Sequence, residues 1–130
     1  MIRSCGTLAL AALLAAGLAS QAAAGEGDFF THLHTEKAMA NVTVSPARKG
    51  PVAIAIQLET TEEKPLVAKA VSVTLNGSKV KLKAVEAERR GEDKWSAKVT
   101  LPAAGRWTLR LDISVADADV ISIEAPIVIK

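Results

Sequence analysis

From residue 25 to residue 130, apolar and polar side chains alternate with a period of two. No window carries a sustained helical stripe at i, i+3, i+4, i+7. Val52, Ile54, Ile56 and Leu58 alternate with Ala53, Ala55 and Gln57, and Val71, Val73 and Leu75 with Ser72 and Thr74. Val80 and Leu82 alternate with Lys79, Lys81 and Lys83. Trp95, Ala97, Val99 and Leu101 continue the pattern, then Trp107 to Val115 at odd positions, then Ile121, Ile123, Ala125, Ile127 and Ile129. The pattern predicts seven or eight short strands, each with one buried face.

Turn signals separate these runs, and each implies a register in which apolar faces coincide. Asn76-Gly77, a favoured two-residue turn, pairs Val73 with Val80 and Val71 with Leu82. The turn at 102–106 pairs Leu101 with Trp107 and Val99 with Leu109. The turn at 116–120 pairs Val115 with Ile121 and Ile113 with Ile123. The turn at 45–51 pairs Val44 with Val52 and Val42 with Ile54. Short strands with regular turns predict an immunoglobulin-like antiparallel β-sandwich, one domain over residues 25–130.

The first 24 residues have a different character. Arg3 supplies a basic start, residues 6–18 are apolar and rich in Ala and Leu, and Ala22-Ala23-Ala24 is a small-residue cleavage site. This is the layout of a secretory signal peptide, with cleavage before Gly25 or, alternatively, after Ala22. The apolar run is shorter than the ~20 residues of a membrane-spanning helix. The one cysteine, Cys5, precedes that run, so it suits neither a lipid anchor nor a disulfide in the exported domain. The Ala-rich signal predicts a periplasmic destination with no membrane span after cleavage.

Charge excludes one class of partner. Sixteen Lys and Arg against 14 Asp and Glu give a formal net charge of +2, too balanced for a nucleic-acid-binding face. Catalytic frames are also missing: there is no Gly-x-Ser-x-Gly elbow, no Gly-rich phosphate loop and no framed carboxylate pair. The chain reads as a non-enzyme.

The two histidines carry the most chemistry. On a strand, His32 and His34 sit at i and i+2 and share a face, where two imidazoles can chelate one metal ion. Imidazole suits copper, zinc or nickel; Asp28, Glu36 or the soft sulfur of Met39 can complete the shell. The plain alternative is a polar strand face that holds two histidines. Met39 is a ligand or else a core or edge filler, and its parity, opposite to Val42 and Val44, predicts an outward side chain. Asp117 and Asp119 read as turn residues before oxygen ligands. Trp95 and Trp107 read as core. Lys79, Lys81 and Lys83 read as a solvated stripe on a strand, and residues 89–93 as a charged, solvated loop.

Two stretches resemble a known family. They are His32-Leu33-His34-Thr35-Glu36-Lys37-Ala38-Met39-Ala40-Asn41-Val42-Thr43-Val44-Ser45-Pro46 with Gly50-Pro51-Val52, and Leu101-Pro102-Ala103-Ala104-Gly105-Arg106-Trp107-Thr108-Leu109-Arg110-Leu111-Asp112-Ile113 with Asp119 and Ile123-Glu124-Ala125-Pro126. Together they resemble the YtkA-like domain, which also forms the periplasmic C-terminal part of CopD-type copper transport proteins and is similar in style to the CopC sandwich. Residues 59–94 match only in strand pattern. The resemblance implies an immunoglobulin-like fold and a periplasmic accessory protein that binds copper or passes it to a membrane transporter. It carries His32 and His34 over as copper ligands, with Met39 as third. The chain departs from CopC-type carriers in lacking a histidine near Gly25 and in having one methionine after the signal, which points to Cu(II). The alternative is a metal-free protein-interaction module in an envelope or respiratory-complex assembly.

Overall fold

The computed structural model describes residues 27–116 and 119–130. The expected signal peptide and Asp117 lie outside the described residues. The described chain forms nine strands: β1 (Phe29–His34), β2 (Met39–Ser45), β3 (Gly50–Glu59), β4 (Ala70–Gly77), β5 (Val85–Glu86), β6 (Glu88–Arg89), β7 (Lys94–Leu101), β8 (Gly105–Ala116) and β9 (Asp119–Ile129). Seven are long; β5 and β6 have two residues each.

The strands form two antiparallel sheets, ordered β1-β2-β3-β7-β6 and β5-β4-β8-β9. With β1 set aside, β2-β3-β7-β6 follows the A-B-E-D order of an immunoglobulin sandwich, and β4-β8-β9 the C-F-G order, with β5 as C′. The predicted fold class is therefore present, with β1 as an extra strand beside A.

The alternation produces the core directly. Val42, Val44, Ile54, Leu58, Leu109, Leu111, Ile113 and Ile127 are fully buried between the sheets. Removing each from water contributes on the order of 1.5–3 kcal/mol. Both tryptophans join this core, at 5% exposure for Trp95 and 3% for Trp107.

Pairing departs from the expected registers in an instructive way. β2 and β3 pair Val44 with Ile54 and Val42 with Ile56. β8 and β9 pair Ile113 with Ile121 and Leu111 with Ile123, with a bulge between Ser114 and Ala116. Both hairpins are shifted by two residues from the expected alignment. A shift of two keeps every side chain on its face, so hydrophobic pattern alone does not oppose it. The 102–106 connection is not a hairpin. β7 pairs with β3, whereas β8 pairs with β4 and β9, so the chain crosses between sheets there. Gly105 opens β8 at φ +119°, a conformation that only glycine adopts without strain. Trp107 Nε1 donates to Ala103 O at 3.1 Å and ties that crossover to the core.

The Asn76-Gly77 turn is also displaced. Gly77 N donates to Val80 O, and Asn76 bridges Lys81, so the reversal falls at Ser78-Lys79. Gly77 stays in β4, opposite Trp107. A Cβ at Gly77 would lie 3.2–3.3 Å from three carbons of the Trp107 ring, so the glycine admits a neighbouring ring and does not make the turn. Leu82 N reaches Leu75 O, and Val85 pairs with Val73. Val80 is left 39% exposed. Lys79, Lys81 and Lys83 are exposed but lie on an irregular segment with one isolated bridge, not on a strand face.

Candidate metal centre

β1 is the edge of the five-stranded sheet and is hydrogen-bonded there only to β2. Phe29 and Leu33 turn toward the core, while Phe30, His32 and His34 are exposed on the outer face. Period-two geometry therefore places both imidazoles side by side, as expected. Across the ladder, His32 stands opposite Asn41, His34 opposite Met39, and Met39 in turn opposite Glu59. Directly opposed side chains on one face have Cβ atoms about 4.5–5.5 Å apart, so His34 and the Met39 thioether are neighbours.

Met39 corrects one expectation. It occupies the outer face by register, but it is only 9% exposed. The alternation of β2 fails at its first two residues, Met39 and Ala40, which are both buried, as is Ala38 just before them. The sulfur is a flank beside His34 and not a free-standing donor.

His32 is held in a defined way. Its Nδ1 is 2.7 Å from Asn41 Oδ1. Asn41 Nδ2 donates to Glu59 Oε1 at 3.2 Å. The amide nitrogen thus faces the carboxylate, and the amide oxygen accepts from His32 Nδ1–H. This assigns the proton to Nδ1 and leaves the lone pair on Nε2. A second partner that fixes tautomer and ring orientation is characteristic of metal-ligating histidines.

The other expected donors do not join. Asp28 Oδ1 accepts from Ser45 Oγ at 2.7 Å, two positions beyond Phe30 from His32. Glu36 is exposed in the turn between β1 and β2. Asp119 is exposed at the start of β9, in the other sheet. Among the described residues no three His, Cys, Asp or Glu side chains form a group that could hold a metal ion. One chain therefore offers two imidazoles, with a buried thioether beside them.

Sequence reasoning missed Asn41 and Glu59. The expected register placed Ala55 opposite Asn41 and Gln57 opposite Met39; the observed one brings Gln57 and Glu59 there. The available signal was the odd parity of Asn41, which puts it on the histidine face.

The opposite edge of the same sheet is built differently. Arg89, in β6, lays its guanidinium carbon 4.5 Å from the Trp95 ring centroid and donates through Nη2 to Ala68 O. The stretch expected as a solvated loop therefore caps the core at this point. Trp95 Nε1 is buried without a hydrogen-bond partner.

Among the described residues no helix is long and apolar enough to cross a membrane. Protein-family models, curated proteins and solved structures give no match to this chain.

Proposed function

We propose that this chain is an exported, periplasmic copper-handling accessory protein that binds Cu(II) through His32 and His34 and passes it to a membrane transporter. The observation that carries the reading is the oriented pair of imidazoles. Both stand on the open face of β1, and Asn41 fixes His32 with Nε2 free. Imidazole nitrogen suits Cu(II), and a soft thioether suits a weak axial position. Met39 is the third, auxiliary donor in this reading, beside His34. The resemblance of 32–46 and 101–113 to the YtkA-like domain supports the same reading, as does the signal-like character of residues 1–24.

The test is a Cu(II) titration of residues 25–130 by calorimetry and electron paramagnetic resonance, beside the His32→Ala/His34→Ala variant. The span is suitable because both sheets and the described core lie within it. A site with nitrogen hyperfine structure that is lost in the variant supports the reading. Absence of binding tighter than ~10 μM, an affinity of about −7 kcal/mol, or binding that survives the variant, sinks it. Met39→Leu, close in volume, isolates the contribution of the sulfur.

A second reading is a metal-free interaction module in an envelope or respiratory-complex assembly. It draws on Phe30, 63% exposed on the histidine face beside a shallow depression lined by Thr43, Ala55 and Ser96. A Phe30→Ser variant that loses the cellular role, while the histidine variant keeps it, favours this reading.

A further inference from the structure

We propose that the outer edge of β7, from Lys98 to Leu101, receives an extended acidic segment of a partner protein as an added strand. The proposal is independent of the copper reading and of His32 and His34.

The ladder shows where this edge is. Leu58 N donates to Asp93 O, and Arg90 N donates to Lys94 O. Main-chain groups alternate sides along an antiparallel strand. Odd residues of β7 therefore bond toward β3, and even residues toward β6. Pro51, opposite Thr100, agrees with this phase, since proline has no N–H to offer Thr100 O. β6 reaches along β7 only to Glu88, opposite Ser96. There the chain has just changed sheet: Ala87 N donates to Val71 O, and Val85 pairs with Val73 in β4. The N–H and C=O groups of Lys98 and Thr100 thus point outward past the end of β6, and among the described residues no strand pairs with them. Residues 1–26 lead into β1, which β2 and β3 separate from β7. Residues 117–118 follow β8 at its end away from Gly105.

Two features of the edge define what fits it. The first is apolar. Leu82, Val85 and Val99 pack on the core but are only partly buried. A cleft of about 260 Å³ opens beside this edge, with Val85 and Glu86 on one lip and Ser96, Ala97 and Lys98 on the other. An added strand turns every second side chain into that cleft and the rest to the outer face.

The second feature is charge. Lys98 is exposed on the edge itself. Lys79, Lys81 and Lys83 are exposed on the same flank, because their segment bonds along β4 through Leu82 N and one residue separates β5 from β6. They also lie toward the same end, since Gly77 stands opposite Trp107 and Gly105 opens β8 soon after Leu101 closes β7. Of the two carboxylates on the cleft, Glu88 is paired with Arg90 at 3.3 Å. Lysines on an edge repel a like-charged strand and favour an acidic one. The fitting segment alternates apolar residues, which enter the cleft, with Asp or Glu, which meet the lysines.

The test is a titration of residues 25–130 with a blocked hexapeptide of alternating valine and glutamate, followed by amide chemical shifts and amide hydrogen exchange. The expected result is saturable binding, with the largest shifts at 97–101 and slowed exchange at Lys98 and Thr100. A valine–lysine hexapeptide should bind about tenfold more weakly. The acidic peptide N-methylated on the edge that faces β7 should not bind. Thr100→Pro removes an outward N–H and leaves the β3 ladder intact; it should weaken binding about fivefold. Lys98→Glu, at an exposed position, should also weaken it, and both variants should keep the β-sheet circular dichroism spectrum. Equal binding of the acidic and basic peptides overturns the acidic partner. Shifts confined to β1 or to the outer sheet faces overturn the site. No saturation at about 1 mM peptide overturns the proposal. A peptide-free protein of doubled mass that Thr100→Pro returns to monomer overturns the foreign partner in favour of a second copy.

Discussion

At one end of the five-stranded sheet stands β1, six residues long, with its histidines exposed and, among the described residues, its ladder shared with β2 alone. At the other end stands β6, two residues long, whose Arg89 covers the Trp95 ring and holds the Ala68 carbonyl. Both ends belong to one sheet and share one core, yet they handle the same physical problem in opposite ways. The β6 end shortens the strand and places a cation over the last large ring, which protects the core. The β1 end leaves the strand long and supports a polar side chain from behind through Asn41 and Glu59. The difference teaches that exposure has two forms here: Arg89 is exposed while it covers the core, and His32 is exposed while it is held from behind by a polar pair.

Substitutions can break that comparison, and the largest effect falls at the β6 end. Trp95→Ala removes a core ring at 5% exposure and should cost about 3–5 kcal/mol, measured as a lower urea midpoint. Trp95→Phe should cost far less, because it also removes the unpartnered Nε1 donor and its desolvation penalty. Arg89→Ala should come next, at about 1–2 kcal/mol, through loss of the ring contact and a charged hydrogen bond. Arg89→Lys should recover only part of it, since ammonium cannot stack as a planar guanidinium does. An Arg89→Ala protein as stable as the parent would erase the distinction between the two ends.

At the β1 end the effects should pass from stability to binding. Asn41→Ala should lower the urea-derived stability by no more than about 1 kcal/mol. It should weaken Cu(II) by about 10- to 100-fold in calorimetry, the usual cost of losing an orienting partner. The smallest stability effect belongs to His32→Ala/His34→Ala: less than about 0.5 kcal/mol by urea unfolding, with Cu(II) binding abolished. A large loss of stability in that variant would mean that the histidines serve the fold after all.

The parts of this molecule that were legible in the sequence are those governed by parity. Which residues of β3, β8 and β9 face inward followed from alternation, because a strand exposes every second side chain to the core. Ladder alignment did not follow, because a slip of two preserves that alternation; Val42 meets Ile56 where Ile54 was expected. The sheet crossing at 102–106 was hidden for a similar reason. Leu101 and Trp107 are both buried whether the chain makes a hairpin or changes sheet. Gly77 misled because a glycine beside Asn signals a turn, while the reason for this one, the Trp107 ring, lies 30 residues away. At the site, the shared face of His32 and His34 was legible. The support from Glu59 was not, since it depends on the β2–β3 alignment, and the burial of Met39 breaks the alternation that predicted it exposed.

The placement of β7 between β3 and β6 has a consequence for the order in which the chain becomes available. A chain emerging N-terminus first presents β1, β2 and β3 as a meander. The far side of β3 has no partner until residues 94–101 arrive. During that interval the segment Val52-Ala53-Ile54-Ala55-Ile56, apolar throughout and without charge, is an open template for any passing β-segment. In the folded sheet β3 lies between β2 and β7, but the nascent chain leaves one side of this ten-residue strand without a partner. Passage from synthesis to fold is thus the stage at which a holding chaperone would matter most.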